Sequence, residues 1–76
     1  MINGKLLNEV LKRDDYRCQG CGNTRHLELH HIIFRSQGGK DEADNLVMLC
    51  RRCHQRTHKN NEWRRYWERW AAGVRG

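Results

Sequence analysis

The sequence has no proline, a single phenylalanine and no long apolar segment. No stretch approaches the roughly 20 consecutive apolar residues of a transmembrane helix, and no apolar segment follows Met1 as it does in a signal peptide. We therefore predict a cytoplasmic chain with no membrane association. Because the cytoplasm is reducing, its cysteines should be present as thiols rather than as disulfides.

The chain is also short, and only 37% of its 76 residues are hydrophobic. This is the length of one domain, which we predict to span residues 1–76. A domain of this size buries little apolar surface and often depends on a bound metal ion or on disulfides for its stability. We therefore expect a stabilising crosslink.

Two Cys-x-x-Cys pairs, separated by 28 residues, are the candidates for that crosslink: Cys18, Cys21, Cys50 and Cys53. Reduced thiols in this arrangement are typical of a structural Zn²⁺ site, with disulfide or redox use as the alternative. The separation exceeds the roughly 15–20 residues of a common zinc pattern, so an additional structural element should lie between the pairs.

Basic charge is concentrated in the last third of the chain. Residues 1–50 contain seven basic and seven acidic residues, whereas residues 51–76 contain eight basic and two acidic residues. This asymmetry is typical of nucleic-acid binding, with a solvated basic helix as the alternative. The arginines predicted to contact phosphates are Arg35, Arg51, Arg52, Arg56, Arg64 and Arg65.

The apolar periodicity predicts an α+β fold with helices at both ends. A stripe at helical spacing indicates a helix over residues 3–14, with Asn3 as its N-cap. Residues 27–34 and 46–49 have the character of strands. A helix should follow Cys50 and reach at least to His58.

A last helix is predicted over about residues 61–72, and Gly73 should end it. Its aromatic residues recur at i, i+3, i+4 and i+7 and share one face: Trp63, Tyr66, Trp67 and Trp70. We predict that this face packs on the domain, against the apolar stripe of the first helix. Base stacking on single-stranded nucleic acid is the alternative use.

Four histidines are candidates for chemistry. His30 and His31 are adjacent in a predicted strand, so their side chains should point to opposite faces and have different roles. His54 and His58 lie four residues apart on a predicted helix, which places them on one face at a known metal-ligand spacing. The alternative is that His54 or His58 completes or braces the zinc site.

In their order and spacing, these residues resemble the HNH endonucleases, specifically the compact four-cysteine kind with a ββα-metal, treble-clef-like core. The resemblance covers residues 8–58 and leaves 60–76 as a basic, aromatic C-terminal helix outside it. Phe34 stands where many members have proline, and His30 where many have aspartate. The matching residues are Cys18, Cys21, Leu29 to Ile33, Gly38, Gly39, Asn45, Leu46, Leu49 to His54, and His58.

The resemblance implies a role for each residue of the motif. His31 is expected to act as the general base, and Asn45 to position the loop and that histidine. His30, His54 and His58 are expected to hold a catalytic divalent ion, which could be Mn²⁺, Ni²⁺, Co²⁺, Zn²⁺ or Mg²⁺. Imidazole ligands favour the transition metals over Mg²⁺.

The expected activity is hydrolysis of DNA phosphodiester bonds, by nicking or cleavage with little sequence preference, leaving 5′-phosphate and 3′-hydroxyl ends. Double-stranded DNA is the expected partner, and RNA is the alternative substrate. A stand-alone nuclease as small as this chain resembles those carried by bacteriophages, which suggests that it acts in a bacterial or phage-infected cell. Its further expected partners are a second copy of the chain or packaging proteins. The alternative is a zinc-dependent nucleic-acid-binding module without catalysis.

Overall fold

The computed structural model of the chain describes residues 2–75. Its helices and strands follow in the order α1 (Gly4–Arg13), β1 (Leu27–His31), β2 (Leu46–Cys50), α2 (Arg51–Lys59) and α3 (Asn61–Arg75). The predicted α+β class, with a ββα unit between flanking helices, is confirmed. None of the helices in this part of the chain is both long enough and apolar enough to cross a lipid bilayer.

The two strands form an antiparallel pair in which Leu29 lies opposite Met48. β1 ends at His31 and not at Phe34 as predicted, because the two residues that follow it are both hydrogen-bonded to Asn45. The backbone N–H of Ile33 donates to the side-chain oxygen of Asn45 at 2.9 Å, which turns the chain out of the sheet. The strand therefore stops directly after the two adjacent histidines.

Helix α1 begins as the sequence predicts. The side-chain oxygen of Asn3 accepts a hydrogen bond from the backbone N–H of Leu6 at 2.8 Å, which satisfies one of the donors that a helix start leaves free. The apolar stripe of α1 centres on the fully buried Val10 and packs against Leu46 and Met48 of β2. This contact covers one side of the hairpin.

A buried ion pair fixes the end of α1 to the sheet. The Asp14 carboxylate, 3% exposed, accepts the backbone N–H of Met48 at 2.9 Å and pairs with Arg13 at 2.8 Å. The Arg13 guanidinium also donates to the backbone carbonyls of Ala43 and Leu46. An acidic side chain at a helix C-terminus is unfavourable to the helix dipole, and these long-range contacts account for its presence there.

The aromatic face of α3 packs on the domain, but not where we predicted. Trp67 is 1% exposed and lies in the buried cluster that contains Cys18, Cys53 and Leu49, on the cysteine side of the hairpin and away from the stripe of α1. Its indole N–H donates to the Thr57 hydroxyl at 3.1 Å. Buried packing is therefore the main use of this face.

Two further details of α3 refine the sequence analysis. Tyr66 is 49% exposed, so the aromatic face is only partly buried. The helix also continues past Gly73 to Arg75, so the predicted end was wrong. Glycine in a helix interior costs only about 1 kcal/mol relative to alanine and does not by itself end a helix.

Candidate metal centres and active site

The four cysteines converge on one point. Cys18 and Cys21 come from the turn after α1, Cys50 ends β2 and Cys53 lies in the first turn of α2. The four sulfur atoms all lie within 4.8 Å of one another. All four are free thiols, and the sulfurs of Cys21 and Cys50 are 3.7 Å apart, far beyond a disulfide bond of about 2.05 Å. Four convergent cysteine sulfurs are the donor set of a closed structural metal site.

The backbone around Cys18 favours the thiolate form of this residue, which is the form that binds a metal ion. Burial opposes ionisation of Cys18, but hydrogen bonds from backbone N–H groups, including that of Gly20, outweigh it and lower the pKa of Cys18 to about 7. A side chain at Gly20 would place its Cβ 3.0 Å from the sulfur of Cys53. The glycine therefore allows the backbone to approach both cysteine pairs.

A second convergent cluster consists of three histidines. His30 comes from β1, and His54 and His58 come from one face of α2, as their spacing predicted. Ring nitrogens of the three lie within 4.8 Å of one another, and the Nε2 atoms of His54 and His58 are 3.1 Å apart. Three imidazoles facing each other form a donor set for a divalent transition metal ion.

His30 gives the strongest evidence that this cluster binds a metal ion. Its side chain is 1% exposed, and neither ring nitrogen has a hydrogen-bond partner among the described residues. Burial, followed by the neighbouring His54 and His58, lowers the pKa of His30 to about 3, so the ring is neutral at neutral pH. An unpaired buried polar group costs roughly 1–3 kcal/mol, and a metal ion bound to the neutral ring would satisfy it.

The other two histidines are held in orientation by neighbours that the sequence analysis did not identify. The Nδ1–H of His54 donates to the Glu28 carboxylate at 2.8 Å, which leaves Nε2 directed toward His58. Carboxylates in this position commonly fix the tautomer of metal-binding histidines. Phe34 stacks on the His58 ring with centroids 5.2 Å apart, so this departure from the family pattern contacts the site directly.

The side chain of His31 points to the opposite face of β1 from that of His30, as the alternation along the strand predicted. Its Nε2 lies 2.7 Å from a carboxylate oxygen of Asp41. The ring nevertheless borders the same cleft of about 450 Å³ as the histidine cluster. A base candidate and a set of three imidazoles that could hold a metal ion therefore meet in one open space.

Asn45 fastens the loop between the strands. It is buried, and its side-chain amide donates to the backbone carbonyls of Ile33 and Lys40 at 3.2 and 2.9 Å. A Cβ at Gly39 would lie 1.7 Å from the carbonyl oxygen of Ile33, so this loop packs too closely for any other residue. The predicted positioning of the loop by Asn45 has a structural basis, whereas the His31 ring forms its hydrogen bond with the Asp41 carboxylate.

The arginines predicted to contact phosphates fall into two groups. Arg51, Arg52 and Arg56 border one open cleft of about 560 Å³ beside the cysteine site, and Arg65 is also exposed. Arg35 is paired with Asp41, and Arg64 donates to the backbone carbonyls of Thr57 and His58. The guanidinium groups of Arg35 and Arg64 therefore already have protein partners.

Comparison with known proteins agrees with this arrangement. A sequence model of the HNH endonuclease family matches residues 18–60, which is more than half of the chain. The chain belongs to the HNH endonuclease family. The match begins at the first cysteine of the metal cluster and includes β1, β2 and α2, hence both clusters.

Three known proteins are similar in sequence to parts of the chain. The chain is 36% identical over 58 residues to the type IV methyl-directed restriction enzyme EcoKMcrA of Escherichia coli (strain K12), and 58% identical over 31 residues to the probable mobile endonuclease C of Enterobacteria phage T4. These matches cover 64% and 41% of the chain but only 21% and 15% of those longer proteins. It is also 32% identical over 56 residues to anaredoxin of Nostoc sp., covering 72% of the chain and 74% of that protein.

Proposed function

We propose that this protein is a metal-dependent endonuclease that nicks duplex DNA. The observation that carries the proposal is the buried His30 imidazole, which has no hydrogen-bond partner in the described part of the chain. It faces His54 and His58 in the cleft that His31 also borders. A purely structural domain has no evident use for a second donor set beside an already complete four-cysteine cluster. A metal-dependent phosphodiesterase uses both such a donor set and a nearby base.

Each histidine has a separate task in this proposal. His31 accepts the proton of the attacking water, because neutral imidazole is a good base near neutral pH. His30, His54 and His58 hold a divalent ion, which when bound supplies positive charge to the phosphoryl oxygens and to the leaving 3′-oxygen. Attack by water with departure of the 3′-oxygen leaves 5′-phosphate and 3′-hydroxyl ends.

Basic side chains on α2 account for DNA binding. We assign phosphate contacts first to Arg51, Arg52 and Arg56, which share one exposed cleft at the start of α2. Arg51 lies within 3.8 Å of Glu28, the carboxylate that orients His54, so this basic surface adjoins the histidine cluster. Such contacts are independent of sequence and should weaken as salt concentration rises.

The cysteine cluster has a structural task in this account. We assign it Zn²⁺, because four thiolates form the closed tetrahedral set that this ion occupies in structural sites. α2 begins directly after Cys50 and carries both Cys53 and His54. The zinc would therefore fix the helix that presents two of the three histidines, without taking part in the reaction.

A survey of divalent ions in a supercoiled-plasmid assay tests the proposal. We expect nicked circles with Mn²⁺, Ni²⁺ or Co²⁺ at rates at least equal to that with Mg²⁺, because imidazole nitrogen suits transition metals and Mg²⁺ prefers oxygen ligands. Activity with Mg²⁺ alone would argue against His54 and His58 as direct ligands. Absence of cleavage with every ion, by protein that still binds DNA, would favour the non-catalytic binding module.

A further inference from the structure

We propose that Asp41 is a positioning residue for His31, that Arg35 holds Asp41 in place, and that the nitrogen acting as base is therefore Nδ1 of His31. This inference rests on the proposed function, since it refines the role of His31 in it. It concerns two residues of the loop between β1 and β2, neither of which belongs to the matching motif of the family.

The orientation of His31 follows from one short hydrogen bond. Its Nε2 lies 2.7 Å from Oδ1 of Asp41. The hydrogen bond with His31, together with the hydrogen bonds and the charge of Arg35, lowers the pKa of the Asp41 carboxyl group, although partial burial acts against them. Ionised Asp41 can only accept hydrogen bonds, so Nε2 of His31 must carry the proton. The lone pair of the neutral ring is then on Nδ1, where it can accept a proton from water.

Arg35 holds in place the Asp41 carboxylate that orients His31. Its guanidinium donates to Oδ1 of Asp41 from Nε and Nη2 at 3.2 and 3.1 Å, and from Nη2 to Oδ2 at 2.9 Å. This forked contact restrains both oxygens and leaves Oδ1 directed at His31. Arg35, Asp41 and His31 thus form a chain from the loop surface to the cleft, comparable in logic to the third member of a catalytic triad.

The pairing also gives Arg35 a different role from the one expected from its charge. Its side chain is 55% exposed, so it can still attract DNA, but its donors are directed at Asp41. Loss of Arg35 should therefore reduce the turnover number more than the affinity for DNA. Loss of Arg52, an exposed arginine of the basic cleft, should do the opposite.

Nitrogen NMR of the zinc-loaded protein without DNA tests the inference independently of nuclease activity. In alkaline buffer, where imidazoles are neutral, the wild-type protein should show His31 with the proton on Nε2. In Asp41→Ala the His31 signals should shift toward a mixture of the two tautomers. Asp41→Asn keeps the shape of the side chain, but its amide can donate as well as accept, so it should also lose the preference and serves if Asp41→Ala folds poorly.

Glu42→Ala is the matched control, because Glu42 is an exposed neighbour and its loss changes the net charge equally. It should leave the His31 tautomer and the rate unchanged. Both Asp41 variants should lower the turnover number by about 10- to 100-fold at unchanged metal affinity of the histidine cluster, as is typical for residues that orient a reacting group.

Two outcomes separate this inference from the proposed function. A His31 tautomer that is the same in wild type and in both Asp41 variants would overturn the positioning role, whatever the protein cleaves. A tautomer that changes as expected, in a wild-type protein that cleaves no DNA, would support the role of Asp41 and contradict the proposed function. If Glu42→Ala and Asp41→Ala had equal effects, the change in net charge alone would explain them, and this result would also overturn the inference.

Discussion

His31→Ala should abolish DNA nicking while leaving both metal clusters intact. The base contributes roughly 10²- to 10⁴-fold to reactions of this kind, so cleavage should fall by at least two orders of magnitude. The ring of His31 points away from His30 and bonds to Asp41, so its removal should not disturb the other histidines. The measurement is the single-turnover nicking rate with saturating Mn²⁺, together with a titration of the same ion by calorimetry.

The comparison of rate with metal affinity makes this prediction specific. Unchanged Mn²⁺ affinity with lost cleavage is the signature of a missing base, whereas loss of both would place His31 among the ligands. Cleavage by His31→Ala at the wild-type rate would refute the assignment. In that case the water would have to be activated by another group at the cleft.

Cys18→Ser should remove the structural metal and the folded state together. Zinc binding by small domains contributes an apparent 10–16 kcal/mol, whereas the core of a domain this short contributes only about 3–5 kcal/mol. Cys18 is 2% exposed and packs in the cluster that also contains Trp67, so losing the metal should loosen α3 as well as the hairpin. The measurements are zinc content per chain and thermal unfolding followed by circular dichroism.

Two controls separate loss of zinc from simple mispacking. Cys53→Ser removes a ligand from the other pair and should give the same result, as should exhaustive chelation of the wild-type protein. His54→Ala should keep one zinc per chain and a cooperative unfolding transition. A well-folded, zinc-free Cys18→Ser variant would show that the cysteines do not form a structural metal site.

Local spacing was enough to predict the residues that share a face or a turn. The interval of four between His54 and His58 needs only the pitch of a helix, and alternation along a strand separates His30 from His31. The two Cys-x-x-Cys pairs could be assigned to one site because four thiolates can bind a single metal ion. These features are set by neighbouring residues, so they could be predicted before the fold was known.

Contacts between distant segments could not be predicted in this way. Glu28 reaches His54 only because β1 packs on α2, and Asp41 reaches His31 only because the loop between the strands folds back over its own start. Asp14 likewise reaches the backbone N–H of Met48, which is 34 residues away in the sequence. The sequence did place Glu28 on the same strand face as His30. A glutamate two residues from a histidine is, however, too common a pattern to predict a contact with the histidine cluster.

Side-chain packing explains the errors in the C-terminal helix. The aromatic spacing of α3 predicted one apolar face, but two surfaces of the hairpin could have received it. The α1 stripe covers the side of Leu46 and Met48, so Trp67 packs on the cysteine side instead. From the sequence, Arg64 was expected to be an exposed basic residue that contacts phosphate. It lies beside the end of α2, where its guanidinium donates to the backbone carbonyls of Thr57 and His58.

The central claim is that the histidine cluster holds the ion that makes this chain a nuclease. Its most direct test is the rate of supercoiled-plasmid nicking in Mn²⁺ by His54→Ala beside His26→Ala, which removes an exposed histidine outside the cluster. Both variants are measured at saturating DNA, because His26 borders the basic cleft and its loss could change DNA affinity. We predict that His26→Ala nicks at the wild-type rate and that His54→Ala gives no nicking above the protein-free blank. Nicking by His54→Ala at the wild-type rate would contradict the account.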